Sequence, residues 1–308
     1  MYTDYDVIIL GSGVAGLAAG IYTSRAGFST MILEKKAFGG ELVNRQLIEN
    51  YPGFAEGIMG PELAEQMVQQ AQNAGAEMEL GEAVSIADKK NHKIVTLADG
   101  SRMTCKGIVI ATGSHPRLLN VPGEAELTGK GVFYCATCDG PACAGKPVMI
   151  AGAGDSGLTE ALQMEKLGCK VTVVEFLEKP KASQIMQDRV AENPNIEVIC
   201  NYKTNAIFGT DWVTGVEVED RATGEKKQLD VQGVYVRVGQ MSNTEFLKDT
   251  IELSPIGQVP VNENKETAIP GVVAAGDIRT LSPAQLGAAA GDGITAAMSL
   301  GRYLNTLS

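Results

Sequence analysis

The sequence predicts an α/β protein of two domains, each organised around a parallel sheet. Two observations carry this expectation. A strand, glycine turn, helix and strand open the chain, and the same unit returns near its middle. With 308 residues, 44% apolar and 20% charged, the chain can bury two cores of ordinary size.

The first unit starts with the apolar run DVIIL at residues 6–10, suited to a strand buried on both faces. The turn Gly11-Ser12-Gly13-Val14-Ala15-Gly16 follows, then a helical stretch over 17–22 and a second strand, TMIL at 30–33, ending at Glu34. Each glycine has its own task. Gly11 permits the tight turn, Gly13 lets a pyrophosphate approach the backbone, and Gly16 lets helix and strand pack closely. Glu34 sits at about the 20-residue spacing at which an acid meets a ribose hydroxyl. A bare glycine motif is weak, but strand, turn, helix, strand and acid in order point to a Rossmann-like dinucleotide site.

The second unit repeats this order. VMIA at 148–151 is a strand, Gly152-Ala153-Gly154-Asp155-Ser156-Gly157 is the turn, 158–167 is a helix, and KVTVV at 170–174 is a strand ending at Glu175. A repeat of roughly 140 residues is too long for a solenoid and indicates two nucleotide-binding domains. Two further strands, 107–113 and 233–239, end in small-residue turns, and Pro116 and Pro122 flank the first crossing between domains.

Composition narrows the partners. A net charge of −11 and pI near 4.8 argue against nucleic acid and anionic membranes. No apolar run reaches membrane-span length, because 286–300 is broken by Gly and Asp292. The acidic start lacks the pattern of a secretory signal, and six scattered cysteines do not form a secreted disulfide scaffold. A cytoplasmic location without nucleic-acid or membrane partners is expected.

Between the two units lies Cys135-Ala136-Thr137-Cys138-Asp139-Gly140. A structural zinc needs four ligands. The two histidines, His92 and His115, lack ligand spacing to the pair, and with Cys143 as a third ligand no fourth is evident, so no metal is expected. The spacing alone does not separate inert cysteines from a redox pair; Asp139 and the flanking nucleotide motifs favour the redox pair. Dithiol exchange needs an accessible thiolate and a proton carrier. With no histidine near in sequence, Asp139 is the natural carrier, although Asp139-Gly140 also reads as a turn.

Together these motifs resemble the low-molecular-weight thioredoxin reductases, flavoprotein relatives of the glutathione and lipoamide reductases. The resemblance spans nearly the whole chain. It rests on both glycine turns, Gly39-Gly40 followed by Ile48-Glu49-Asn50-Tyr51-Pro52-Gly53, Ala111-Thr112-Gly113, the cysteine box, and Gly276-Asp277-Ile278. It implies an FAD domain made from both ends of the chain, 1–117 and 245–308. A central domain carrying the cysteines, 118–244, is inserted into it. It also implies a homodimer, a thioredoxin-like protein substrate, Asp277 on the flavin's ribityl and pyrophosphate portion, Cys138 facing the flavin, and Cys135 attacking the substrate disulfide. The close cysteine spacing, and the lack of any histidine after His115, set the chain apart from the glutathione and lipoamide reductases.

Two departures bear on the electron donor. NADPH-dependent members carry a His-Arg-Arg segment where this chain has Glu175-Phe176-Leu177, and the family usually has an Arg-Gln-Ala segment beside the flavin where this chain has Ala284-Gln285-Leu286. Glu175 would repel a 2′-phosphate and suits NADH; Lys179 and Lys181 offset it only if their loop folds back. FAD is expected, NADH fits and NADPH does not. Ferredoxin or a deazaflavin as donor, and a flavin-bound redox sensor without turnover, remain alternatives.

Replacing Cys135 with Ser should abolish disulfide reduction and leave flavin reduction by the proper donor intact. Cys143→Ser should leave turnover near the wild-type rate. Steady-state assays with single-turnover flavin spectra check both, and a Cys135→Ser protein that still reduces disulfides refutes the pairing.

Overall fold

The computed structural model describes residues 3–45, 47–89, 92–134 and 136–307, with Thr137 and Cys138 described by backbone alone. The chain forms two compact units, Met1–His115 with Met241–Ser308, and Pro116–Gln240. The chain passes between them at two short strands, Ser114–Pro116 and Gln240–Ser242, which pair with each other.

In the first unit, strand Tyr5–Leu10 lies between Thr30–Glu34 and Arg102–Ile110, parallel to both. Val272–Ala274 returns from the far end of the chain to pair in parallel with Arg102–Ile110. Glu77–Leu80 extends one side, and the antiparallel strands His92–Leu97 and Ala83–Lys89 extend the other. Alternate side chains of the opening strand serve two cores. Val7 and Ile9 pack with helices Val14–Arg25 and Leu286–Asn305, while Ile8 and Leu10 pack with Ile86, Val95 and Leu97. An unbroken apolar run is therefore required, since both faces are covered.

The second unit repeats the plan. Its five-stranded parallel sheet runs Val132–Phe133, Gly233–Val236, Pro147–Ala151, Lys170–Glu175, Ile196–Cys200. Val148 and Ile150 pack with Leu158, Ala161 and Met164 of helix Asp155–Lys166. Met149 and Ala151 face Ile207, Val216 and Val218 of a three-stranded antiparallel sheet. Sheet, sheet and helix make the three layers. The fold is thus α/β, with two Rossmann-like units, the second inserted into the first.

Among the described residues, no helix is long and apolar enough to cross a membrane. The strand expected at 107–113 starts earlier, at Arg102, because its first half pairs with His92–Leu97. That half is mostly part-exposed and carries no continuous apolar signal.

Helix Leu286–Asn305 crosses helix Val14–Arg25 at Gly293, where a Cβ would stand 2.1 Å from the Ala15 carbonyl oxygen. Gly293→Ala should lose about 1–3 kcal/mol of stability through overpacking. On the same helix, exposed Gly291 faces open space, and Gly291→Ala should gain ~0.5–1 kcal/mol. Urea denaturation of both variants checks the opposite signs; shifts of the same sign refute the close crossing.

Candidate functional site

The first glycine turn is built by contact. Gly11 has φ +99°, and a Cβ there would lie 2.4 Å from the Ala111 oxygen. A Cβ on Gly16 would meet the Gly11 oxygen at 1.9 Å, whereas around Gly13 the space is open. The turn therefore presents bare backbone at the start of a helix, the arrangement that accepts phosphate. It opens onto a cavity of about 960 Å³ lined wholly by the first unit. That volume, lined by bare backbone and by the carboxylates of Glu34 and Asp277, fits an extended dinucleotide such as FAD.

Ten of the residues read from the sequence line this cavity: Gly11, Gly13, Glu34, Gly39, Gly40, Ala111, Thr112, Gly113, Gly276 and Asp277. Gly16 lies behind the turn as packing. Asn50 and Gln285 pair with each other, Nδ2 to Oε1 at 3.1 Å, outside the lining set. Glu34 accepts hydrogen bonds from Ser12 N (2.9 Å), Ser12 Oγ (2.8 Å) and Lys36 N (3.1 Å). A carboxylate has about four lone-pair sites, so Glu34 can brace its turn and still receive a sugar hydroxyl.

Asp277 sits where strand Val272–Ala274 runs out into the cavity. Burial pushes its carboxyl above the usual range, and a hydrogen bond from Ser282 Oγ (3.1 Å) opposes the rise. Beneath it is an ion cluster that sequence reading missed. Asp292 Oδ2 accepts from Arg279 Nε (2.5 Å) and from Gly276 N (3.2 Å), while Oδ1 accepts from Arg279 Nη2 (2.9 Å) and meets Lys265 Nζ (3.2 Å). Asn243 was missed as well. It donates to the Thr112 oxygen (2.7 Å) and faces His115 Nδ1 (2.7 Å), fastening the turn Ala111-Thr112-Gly113. An asparagine in a crossing segment carries no motif, so nothing in the sequence marked it.

The second turn copies the first. Gly152 has φ +106°, and its Cβ would lie 2.2 Å from the Arg237 oxygen; a Cβ on Gly157 would meet the Gly152 oxygen at 2.0 Å, and Gly154 is open. Glu175 is buried, accepting from Ala153 N (2.6 Å) and Leu177 N (2.9 Å). The lysine loop does fold back: Lys181 N and Ala182 N both donate to the Ala153 oxygen, at 3.1 and 3.2 Å. Phe176 instead carries Arg221 across its ring at 3.8 Å, with Nη1 donating to the Phe176 oxygen (2.9 Å).

Cys135 lies outside the described residues, and Cys138 belongs to the short helix Ala136–Asp139. Burial, followed by the charge of Glu160, pushes the Asp139 carboxyl above its ordinary range. A raised carboxyl holds a proton nearer neutrality, which suits an acid in thiol exchange. Cys143 is buried, 3.7 Å from the Gln232 oxygen, and burial pushes its thiol up. It is not a reactive thiol by that environment.

A sequence profile described as pyridine nucleotide-disulphide oxidoreductase matches residues 5–293. The chain belongs to that family. It is 37% identical to a thioredoxin reductase of Bacillus subtilis over 98% of this chain and 96% of that one. Among solved structures, thioredoxin reductase of Lactococcus lactis matches with TM-score 0.95 and 34% identity, covering 98% of this chain and 100% of the other. That of T. acidophilum matches with TM-score 0.93 and 37% identity, covering all of both chains.

For this oxidoreductase, the ion cluster under Gly276 gives a direct test. Asp292→Ala leaves Arg279 and Lys265 without their shared carboxylate. It should cost about 3–5 kcal/mol and lower the flavin bound per chain. Urea melts with absorbance ratios on purified protein check this, and an unchanged melt with full flavin content refutes the brace.

Proposed function

We propose that this oxidoreductase is a thioredoxin reductase, passing electrons from a nicotinamide through FAD and the Cys135/Cys138 dithiol to the disulfide of a thioredoxin-like protein. The carrying observation is the duplicated glycine turn. One copy opens onto the large cavity of the first unit, and the other stands in the unit that bears the cysteines. The names of the relatives support the same reading.

FAD is held by the cavity-lining residues, with Glu34 toward a ribose and Asp277 toward the ribityl and pyrophosphate portion; Asn50 and Gln285 are a further, paired contact. When bound, FAD supplies two-electron transfer between the nicotinamide and a disulfide. The chain's own groups position the partners and move protons. Gly152, Gly154, Gly157 and Glu175 receive the nicotinamide dinucleotide. Cys138 faces the flavin, Cys135 attacks the substrate disulfide, and Asp139 carries the proton. The working protein is a cytoplasmic homodimer.

NADH is the preferred nicotinamide. A 2′-phosphate at the end of strand Lys170–Glu175 would lie near the Glu175 carboxylate and beside Phe176 and Leu177, with no arginine fork in the position where NADPH-binding relatives carry one. Arg221 is stacked on Phe176, and the loop that folds back to Ala153 is held there by the backbone N–H groups of Lys181 and Ala182.

Stopped-flow flavin reduction with NADH, NADPH and reduced ferredoxin in parallel tests the donor. NADH should exceed NADPH in kcat/KM by about tenfold or more, equivalent to ~1.4 kcal/mol. NADPH working equally well refutes the preference, and rapid reduction by ferredoxin alone assigns the donor outside the nicotinamides.

A further inference from the structure

The helix that carries the cysteines is held at both ends from within its own unit. At its start, Ala136 N donates to Glu160 Oε1 at 3.3 Å. At its end, the Tyr235 hydroxyl donates to the Asp139 carbonyl oxygen at 3.3 Å. Glu160 comes from helix Asp155–Lys166, the helix that begins on the second glycine turn. It is 6% exposed and ion-paired to Arg237 Nη2. Its other oxygen, Oε2, makes no hydrogen bond among the described residues. Arg237 ties the arrangement to the nucleotide turn: its N–H donates to the Ala151 oxygen at 2.7 Å, and its carbonyl is the wall against which Gly152 turns.

An unsatisfied oxygen on a buried carboxylate is costly. A packing role alone is met as well by an apolar side chain, so the charge calls for a reason. We infer that Glu160 is a positioning residue for the dithiol, anchoring Ala136 beside Cys135 and setting the electrostatic field in which the cysteines and Asp139 exchange protons. This rests on the disulfide-reductase reading above. In that exchange the enzyme dithiol gives two electrons and two protons to the substrate disulfide. One S–S bond forms in the enzyme as one breaks in the substrate, and no other oxidant or reductant is needed.

Asp139 is faced by Glu160 from the helix, by Tyr235 from strand Gly233–Val236, and by Cys143 from the following turn, with Arg237 behind Glu160. Burial and then the Glu160 charge both favour its protonated form. The same negative charge disfavours a thiolate nearby. Glu160 therefore favours the protonated form of Asp139, the proton carrier of the exchange, and Arg237 moderates the effect.

The test uses the FAD-loaded enzyme with its dithiol reduced. The rate of alkylation of Cys135 and Cys138 by iodoacetamide is followed across pH by mass spectrometry, for wild type, Glu160→Gln and Glu160→Asp. Glu160→Gln keeps an acceptor for Ala136 but removes the charge, so its alkylation midpoint should move about one pH unit lower. Glu160→Asp should keep the wild-type midpoint. A purely structural role would leave the Glu160→Gln midpoint unchanged, and that result overturns the inference. Reduction of thioredoxin disulfide across pH runs in parallel. Wild type failing to reduce thioredoxin, with the alkylation shift present, refutes the substrate reading and sustains the role of Glu160. Should Glu160→Gln not fold, the same alkylation profile is read for Arg237→Gln, which leaves the Glu160 charge unbalanced. A midpoint moved higher sustains the inference, and an unmoved one overturns it.

Discussion

Both halves of the protein depend on one contact, the approach of a glycine turn to the end of the neighbouring parallel strand. Gly11 lies against Ala111, and Gly152 against Arg237, at distances no side chain can share. A second glycine, Gly16 or Gly157, then lets the helix rise directly over the turn's own carbonyl. These contacts fix where each helix starts and keep the middle glycine open. The strand-end acid completes the unit in each case by accepting the N–H of the residue after the first glycine, Ser12 or Ala153. The geometry is duplicated to within a few tenths of an ångström, which is why the sequence spacing is duplicated too.

The buried charges occupy the places where this plan alone leaves backbone groups without partners. Asp292 supplies an acceptor for Gly276 N, and Glu160 supplies one for Ala136 N. Each acid is then balanced by an arginine from the end of a nearby strand, Arg279 or Arg237. Desolvating such pairs is expensive, and pairs of this kind contribute little net stability. Their value lies in fixing one position for a short stretch of backbone, because loss of either partner strands a charge in the interior.

Much of this was legible in the sequence because glycine, apolar runs and terminal acids report local backbone needs. The strands at 6–10, 30–33 and 148–151 declare themselves by continuous apolar residues, which two-sided burial demands. The antiparallel strands Ala83–Lys89 and His92–Leu97 were not legible, since one face is half exposed and their pattern is diluted by charge. Asp292, Arg279, Glu160 and Arg237 were hidden for a different reason. Their partners lie 13 and 77 residues away in sequence, and only the closed fold brings an acid to an orphaned N–H. Glu175 was read for its charge alone, whereas its two backbone hydrogen bonds give it a second task that spacing could not reveal.

The placement of the cysteines follows from topology rather than from any local preference. Strand Val132–Phe133 runs parallel to Gly233–Val236, which runs parallel to Pro147–Ala151. Parallel strands share one carboxyl edge, and in open α/β sheets that edge is where ligands bind. The cysteine helix follows the first of these strands, Arg237 the second, and the Gly152 turn the third. The cysteine helix Ala136–Asp139 and the second glycine turn are thus delivered to the same edge of one sheet, with the Arg237–Glu160 pair spanning the strand between them. A motif placed after an antiparallel strand would emerge at the opposite edge, beyond reach of Glu160. The insertion of cysteines before the second glycine unit, and not before the first, is therefore what makes a shared carboxylate available to both.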